Sequence, residues 1–482
     1  MQVCIFLNVE ICGATAKQLA AAVSAGAVSA VEVMTAHLAR IEAVDPVVNA
    51  VTNVLADSAL RAAEQVDRRL AAGARVGPLA GVPFTVKENI HVAGSATTMG
   101  VPRLRHLVAP EDAPPVRRLR AAGAIPIGRT NLPDLTIAGM HTTSTLYGDT
   151  RNPWDPAGRS PGGSSGGDGV AVATGMTPLG LGNDSGGSLR IPATFNGVAA
   201  LKPSYGRFAA DHRLGGQEPT LASQVLPVDG PMARSVADLR LVYEVLAGAD
   251  PQDPRAVPAP VDGAALAEPV RVGLVVDPGG HGVHPHVRAA VQTAAAVLRE
   301  AGYLVEEVET PALAEALEVY AGLISTEFSL VWSNIRPLLS VSGRRHLELI
   351  MQRRPPLDLA GYVQLTAARL GAQRQWASFF ARYALLLGPV STELPPAPLV
   401  PTDAQEHERM MGPVRLCTAS SLVGVPAVAV PVGVTEGLPQ GVQIIGGMYR
   451  EDLCLAAAGV IENAVGVVTP LDPRLSRPAE SS

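Results

Sequence analysis

The chain has 482 residues, of which 47% are hydrophobic and only 17% charged, a composition typical of a globular protein with a large core. Its formal net charge is −6 and it has no long basic block, which argues against nucleic acid as a partner. No apolar run reaches the roughly 18 residues of a membrane span, so no membrane association is expected.

The first part of the chain is predicted to be helical after an irregular segment over residues 1–14. The opening MQVCIFLNVEIC is short and lacks the basic leader and cleavage site of a signal peptide. Four sparse cysteines without a CxxC pair favour a reducing compartment, so we predict a cytoplasmic protein. A first helix is expected to stop at Gly26, and Ser29 with Glu32 predicts a capping box for a second. The helical pattern continues over residues 49–69.

An apolar run further on predicts a buried strand that ends in a lysine. Val82, Phe84 and Val86 alternate with small or polar residues, and Lys87 follows them directly. Burial among apolar neighbours lowers the pKa of a lysine from about 10.4, which allows it to lose its charge. Lys87 is therefore a candidate general base.

Residues 161–192 contain two serines flanked by glycines, Ser164 in GGSSGG and Ser188 in SGGSLR. Between them the small and apolar residues predict a buried helix over 169–175 and a short strand around 179–181. Two backbone loops can therefore meet side by side.

The second of these loops has the features of an oxyanion hole beside a nucleophile. Gly186 and Gly187 lack a Cβ atom, so their backbone N–H groups can approach a reacting carbonyl closely. Ser188 is a poor nucleophile at its free pKa and needs a base within hydrogen-bond reach. No histidine is near it in sequence, and Lys87 is the candidate.

A group of three histidines later in the chain could suggest a metal site. His281, His284 and His286 are followed by a helical pattern, and Pro285 lies among them. Neither a cysteine nor a paired carboxylate joins the group. We predict an ordinary helix start here and no metal site.

The C-terminal half contains a long helical segment, over about 312–387, that is rich in aromatic residues. A proline-containing loop and closing strands follow it, and a last helix is predicted over 451–465. The remaining residues, 466–482, are expected to form a loose tail.

Five motifs, in this order, resemble those of the amidase signature family, whose members hydrolyse carboxylic amides with a Ser-cis-Ser-Lys triad. They are GVPFTVKENI, TRNPWDP, PGGSSGGDG, GLGNDSGGSLRIPA and LKPSYGR. The interval of 24 residues from Ser164 to Ser188 is also that of the family. The resemblance implies one large α/β domain over residues 1–482, with a central mixed, mostly parallel β-sheet flanked by helices. Residues 81–207 would form the signature core, and about 312–387 a helical insert that caps the substrate.

The same resemblance assigns roles to three side chains. Lys87 would be the base, Ser164 the bridging serine with a cis peptide on its N-terminal side, and Ser188 the nucleophile. Neutral Lys87 would take a proton from Ser164, which would relay one from Ser188 as it attacks the amide carbon.

It also implies a set of supporting residues around the triad. Backbone N–H groups would form the oxyanion hole at Ser185, Gly186, Gly187 and Ser188. Charged side chains would fix this loop at Asp184 and Arg190. The stretch that borders the acyl pocket in the family predicts substrate contacts at Gly139, Met140 and His141.

The predicted function is hydrolysis of small to medium carboxylic amides with an apolar or aromatic acyl group, through an acyl-enzyme. Esters and carbamates react by the same acyl-transfer route, so activity on them is expected as a side reaction. The chemistry requires no cofactor and no metal, and the expected partner is a small-molecule amide. A homodimer is the usual state of relatives.

Three alternatives remain open from the sequence. Residues 162–166 fit the G-x-S-x-G elbow of α/β-hydrolases, which would make Ser164 the nucleophile of a different serine hydrolase. The chain could be the amidase component of a tRNA-dependent glutamine amidotransferase, although MMGPVRLCTASSLVGVP lacks the acidic, tyrosine-containing pattern associated with that component. It could also be a catalytically silent binding protein of the same family.

Overall fold

A mixed β-sheet forms the centre of the fold in the computed structural model, which describes residues 11–137, 140–266 and 269–474. Within these ranges the sheet has eleven strands, and a separate ribbon has two. In chain order the strands are β1 (Val51–Val54), β2 (Pro83–Lys87), β3 (Ile125–Thr130), β4 (Thr143–Ser144), β5 (Gly148–Asp149), β6 (Leu179–Asp184), β7 (Ala199–Lys202), β8 (Val228–Ala233), β9 (Arg271–Leu274), β10 (Leu304–Glu307), β11 (Leu385–Pro389), β12 (Ala427–Thr435) and β13 (Leu438–Gly446).

Helices flank this sheet, which confirms the predicted α/β fold with a mixed central sheet. They are α1 (Ala16–Ser24), α2 (Ala30–Val48), α3 (Ala56–Ala71), α4 (Pro114–Ala121), α5 (Gly166–Ala173), α6 (Arg190–Asn196), α7 (Leu221–Val225), α8 (Val236–Leu246), α9 (Pro285–Glu300), α10 (Leu313–Ile335), α11 (Val341–Arg353), α12 (Leu359–Phe380), α13 (Ala404–Met411), α14 (Arg415–Val423) and α15 (Glu451–Val465). Among the described residues, none of these helices is both long enough and apolar enough to cross a membrane.

The strand order is β1-β3-β2-β6-β8-β7-β12-β13-β11-β9-β10. Parallel pairing is concentrated in two blocks, β3-β2-β6 and β11-β9-β10. The strands between these blocks pair antiparallel, and β1 adds an antiparallel edge. The first parallel block lies where the sequence predicted the signature core.

The parallel strands are buried because helices cover the sheet. Every residue of β2 and β6 is buried, including the polar ones at their carboxyl ends. Strands covered on both faces are typically near-continuous apolar runs, and Phe84 and Val86 belong to the largest apolar cluster of the described chain. These two strands therefore deliver their last side chains into a dry part of the molecule.

Local capping explains where several helices begin. The predicted capping box between Ser29 and Glu32 is present at the start of α2, with both reciprocal hydrogen bonds. At α9, the Nδ1 atom of His284 accepts a hydrogen bond from the N–H of His286, 3.2 Å away, so this histidine caps a helix as predicted.

One predicted helix is wrong in its first part. The sequence pattern predicted continuous helix over 49–69, but Asn49 adopts a left-handed conformation, with φ of 51°, and ends α2. Residues Val51–Val54 then pair antiparallel with β3, and the helix resumes only at Ala56. Tertiary pairing with the sheet overrides the local helical pattern here.

The bounds of three other predicted segments need correction. The helical insert ends at Phe380, because residues 385–389 form β11 inside the sheet. The predicted irregular segment is helical at residues 11–13, and its first ten residues lie outside the described ranges. The beginning of the predicted loose tail is tied to the domain, since the Leu471 N–H donates to the Ala173 carbonyl and Arg40 pairs with Asp472 at 2.7 Å. Residues 475–482 lie outside the described ranges.

Candidate active site

The carboxyl ends of β2 and β6 bring Lys87 and Asn183 together. The two strands are parallel neighbours, and Val86 is in register with Leu181, so the residues that follow lie at the same edge of the sheet. The Nζ atom of Lys87 lies 2.6 Å from the Oδ1 atom of Asn183 and 2.7 Å from the Oγ atom of Ser164. The amine is thus held between an amide oxygen and a hydroxyl group.

The surroundings of Lys87 favour its neutral form. The side chain is fully buried, and this burial lowers the pKa of the amine, although three buried carboxylates, Asp168, Asp184 and Asp229, oppose the shift. Burial also raises the pKa of Asp168, whose Oδ1 atom accepts a hydrogen bond from Thr130. Both groups are therefore disfavoured in their charged forms by the same lack of water.

The loop that carries Ser164 approaches its neighbours too closely for side chains. The peptide bond between Gly163 and Ser164 is cis, as the family resemblance implied. A Cβ atom on Gly163 would lie 2.8 Å from the carbonyl oxygen of His141, and one on Gly162 would lie 2.9 Å from the nitrogen of Pro192. Glycine is thus required on the N-terminal side of Ser164.

The two serine loops lie side by side, as predicted. The N–H of Ser165 donates to the carbonyl oxygen of Ser188 at 3.2 Å, and the Ser165 hydroxyl donates to the carbonyl oxygen of Asn183. Ser164 is 4% exposed, whereas Ser188 lines a cavity. Of the two proposed catalytic serines, it is the second that meets the space open to a substrate.

Asp184 and Arg190 form the predicted support beneath the second loop. Both side chains are fully buried and form a bidentate pair, with distances of 2.9 Å from Nε to Oδ2 and 3.1 Å from Nη2 to Oδ1. Burial alone would raise the pKa of Asp184, but the Arg190 guanidinium outweighs it and holds that pKa well below its ordinary value. Arg190 also donates to the side chains of Ser420, Ser421 and Gln443.

One of the predicted oxyanion donors is already engaged. The N–H of Gly187 donates to Oδ1 of Asp184 at 2.6 Å, so it is not free for a substrate oxygen. The N–H groups of Ser185, Gly186 and Ser188 donate no hydrogen bond to any atom in the described ranges. These three donors remain at the mouth of the cavity.

The cavity next to Ser188 has a volume of about 450 Å³. One end is formed by the two serine loops, through Gly163, Ser185 and Gly186. Most of the wall comes from the helical insert, and its apolar members are Leu317, Tyr320, Ala321, Ile324, Phe328, Leu347 and Ile350. A mostly apolar cavity that opens on a serine and on backbone N–H groups suits an amide or ester with an apolar acyl part.

The predicted substrate contacts differ from the observed lining. Met140 is 2% exposed and packs in an apolar cluster, and the Nδ1 atom of His141 lies 3.1 Å from the Ser160 hydroxyl. In the same stretch it is Thr136 and Ile137 that line the cavity. Gly139 lies outside the described residues.

Most aromatic residues of the insert pack between helices instead of lining the cavity. Trp376 is fully buried, and its ring centroid lies 6.0 Å from that of Phe380. Tyr320 and Phe328 are the aromatic members of the lining.

Four residues of the site were not singled out from the sequence. They are Asn183, Tyr320, His346 and His407. Asn183 lies inside the GLGNDSGGSLRIPA motif, so its position next to the predicted loop was a usable signal. The others belong to distant segments and carry no such signal.

Comparison with known proteins places this geometry in context. A family model described as Amidase matches residues 32–455. The chain is 42% identical over 458 residues to an indoleacetamide hydrolase of Bradyrhizobium diazoefficiens, with 94% of this chain and 87% of that protein covered. It is 36% identical to the amidase component of a glutamyl-tRNA(Gln) amidotransferase from Salinispora tropica, with 95% and 98% covered. The structure of a bacterial aryl acylamidase of the amidase signature family superimposes with a TM-score of 0.80 at 26% identity, with 94% and 96% covered.

Proposed function

The chain belongs to the amidase family and is an amide hydrolase, and from this premise we propose that its substrates are small to medium carboxylic amides with an apolar or aromatic acyl group. The observation that carries the proposal is the cavity of about 450 Å³, whose mostly apolar wall ends at Ser188. Indole-3-acetamide is the first substrate to test, because a relative with 42% identity bears the name of an indoleacetamide hydrolase.

Lys87, Ser164 and Ser188 perform the proton transfers in this proposal. A neutral Lys87 donates one N–H to Asn183 Oδ1, 2.6 Å away, and offers its lone pair to the Ser164 hydroxyl at 2.7 Å. As the Oγ atom of Ser188 attacks the amide carbon, its proton passes to Ser164 and that of Ser164 to Lys87. The chain then returns a proton to the leaving nitrogen, and ammonia or an amine departs.

Backbone donors stabilise the negative oxygen that forms during this attack. Ser185, Gly186 and Ser188 have N–H groups without an acceptor in the described part of the chain. The Asp184 carboxylate holds the loop through the N–H of Gly187. Donors of this kind are typically worth roughly 100- to 1000-fold in rate.

Hydrolysis of the acyl-enzyme completes the cycle. A water molecule attacks the ester carbon on Ser188, and the same relay removes the proton of the water and returns one to the serine oxygen. The carboxylic acid then leaves. Esters and carbamates form the same kind of acyl-enzyme, which supports a side activity on them.

The experiment that tests this function is turnover of a panel of aryl and alkyl amides by the purified protein. We expect release of ammonia and indole-3-acetic acid from indole-3-acetamide, with no release by Ser188→Ala. If the protein turns over no aryl amide, anilide or ester in the panel, the proposed substrate class is wrong.

The position of Ser164 disfavours the alternative with an α/β-hydrolase elbow. An elbow nucleophile is exposed at the end of a strand, whereas Ser164 is 4% exposed and bonded to Lys87. The similarity to the amidotransferase component keeps a second function in view, in which glutamine is the amide and a partner protein receives the ammonia. Glutaminase activity that depends on a copurified protein would favour it.

A reducing compartment such as the cytoplasm remains part of the proposal. The described cysteines, Cys12, Cys417 and Cys454, are free and buried thiols. Such thiols persist where glutathione and thioredoxin keep them reduced.

A further inference from the structure

Two histidines in the wall of the cavity have no part in the proton transfers described above. His346 on α11 and His407 on α13 both line the cavity, and they are 61 residues apart in sequence. The Nε2 atom of His407 lies 2.9 Å from the Nδ1 atom of His346. Their ring centroids are 4.9 Å apart and the rings are tilted by 46°. The rings therefore meet through nitrogen atoms and do not stack.

Both rings are neutral near neutral pH. Burial lowers the pKa of His346 to about 3, and burial together with the Arg353 guanidinium lowers the pKa of His407 to about 4. A neutral imidazole has one N–H donor and one acceptor nitrogen. One ring must therefore donate to the other across the 2.9 Å contact.

The two outer nitrogen atoms are then left with complementary roles. If His407 donates, its Nδ1 atom is an acceptor and the Nε2 atom of His346 carries a proton, and the opposite tautomers exchange these roles. In either case the pair offers one donor and one acceptor. Within the ranges that the structure describes, neither outer nitrogen has a hydrogen-bond partner, and neither is among the unpartnered atoms that protein encloses.

The charged groups around the cavity are paired with one another and lie closer to solvent. Arg353 pairs with Glu408, and Arg354 pairs with Glu318. The side chains of Glu408 and Glu318 are 43% and 58% exposed, whereas His407 is 5% exposed. The histidine pair is therefore a neutral polar feature within a wall that is otherwise mostly apolar.

We propose that the His346–His407 pair is the polar anchor of the acyl cavity and selects aryl acetamides whose ring carries an N–H group. This inference rests on the proposed function, because it requires an aryl acyl group in the cavity. A ring N–H that leaves water for an apolar wall loses its hydrogen bond unless an acceptor replaces it. The outer acceptor nitrogen of the pair supplies that replacement, and its second outer nitrogen can donate to a polar atom or a water molecule.

The first test needs only the wild-type protein and two substrates of nearly the same shape. Indole-3-acetamide has the ring N–H, and benzofuran-3-acetamide has an oxygen atom in its place. We expect kcat/KM to be roughly three- to tenfold higher for the indole, in line with one net hydrogen bond. The difference should lie mainly in KM, because the ring contact is made equally in the ground and transition states.

The outcomes separate this inference from the function on which it rests. Equal kcat/KM values for the two amides would overturn the anchor and leave the proposed function intact. Hydrolysis of neither amide would overturn the proposed function and the anchor with it.

Variants of the pair provide the second test. In His346→Phe and His407→Phe, the ratio of the two kcat/KM values should fall to about one, since phenylalanine has no hydrogen-bonding atom. His407→Gln keeps a donor and an acceptor and should restore part of the preference. Met351→Leu, on the same helix as His346 but outside the lining, is the matched control and should keep the wild-type ratio. A wild-type ratio in both phenylalanine variants would overturn the proposal.

Discussion

The Oδ1 atom of Asn183 lies 2.6 Å from the Nζ atom of Lys87, which makes the amide oxygen a direct partner of the proposed base. Because Asn183 is neutral, it orients the amine without adding a charge that would favour the ammonium form. The relationship links the second serine loop to the strand that carries the base, and it gives a way to change the pKa of Lys87 by one substitution.

The dependence of rate on pH tests the neutral lysine. A protonated Lys87 cannot accept a proton, so kcat/KM should fall as the pH drops through its pKa. Burial lowers that pKa, so the acid limb should lie well below the ordinary value of about 10.4. The measurement is kcat/KM for an aryl acetamide from about pH 5 to about pH 10. A rate that stays flat down to about pH 5 would remove the neutral lysine from the mechanism.

Substitution of Asn183 should move this acid limb in a predictable direction. In Asn183→Asp a carboxylate next to Lys87 stabilises the ammonium form, so the limb should move to higher pH by about one to three units. Asn183→Leu removes an acceptor without adding a charge and should not move the limb upward. An unchanged limb in the aspartate variant would show that another group titrates.

Covalent labelling identifies the nucleophile. An aryl sulfonyl fluoride should form an adduct on Ser188, and adduct formation should slow sharply in Ser164→Ala and Lys87→Ala because the proton relay is broken. Intact-protein and peptide mass spectrometry measure the rate and the site. Ser223→Ala is the matched control, since Ser223 lines the same cavity but has no part in the relay.

The labelled position also decides between two kinds of hydrolase. An adduct on Ser164 that forms at the same rate without Lys87 would favour the elbow-type enzyme and contradict the assignment of Ser188.

The conformation of Gly187 should be essential to the second loop. Its φ is +124°, and a Cβ atom would lie 2.6 Å from the Cδ1 atom of Ile191. Gly187→Ala should displace the neighbouring N–H donors and lower kcat by roughly 100-fold, as expected for loss of an oxyanion donor. Gly371→Ala on α12 is the control, because nothing lies within 4 Å of the added atom. Wild-type kcat in Gly187→Ala would contradict the role of this loop.

Removal of Arg190 should destabilise the whole domain. In Arg190→Met the buried Asp184 carboxylate loses its partner, and the free energy of unfolding should fall by about 3–5 kcal/mol. Denaturant unfolding near neutral pH measures the change. Arg68→Met is the matched control, because the side chains of Arg68 and its partner Glu64 are 67% and 54% exposed and their pair should contribute little. Equal stability of the two variants would show that the buried pair does not hold the loop.

Patterns between near neighbours in the chain were sufficient for part of this description. The capping box at Ser29, the buried strand that ends at Lys87 and the glycine-flanked serines all depend on side-chain chemistry within a few residues. The order of five motifs then indicated the family, and with it the α/β fold.

Contacts between distant segments were decided only by the tertiary structure. Residues 51–54 form a strand because β3 offers them an edge, which their local helical pattern does not encode. The approach of Asn183 to Lys87 follows from the register of β2 with β6, and the Gly187 N–H is engaged because Asp184 folds back on its own loop.

The cavity wall is the clearest case of this division. His346 and His407 lie on different helices, 61 residues apart, and neither neighbourhood in sequence marks them as a pair. Local propensity fixes which segments become helices, but the packing of these helices over the sheet decides which of their side chains face one another. The sequence by itself therefore determined the chemistry of the triad motifs, and the three-dimensional packing decided what surrounds a substrate.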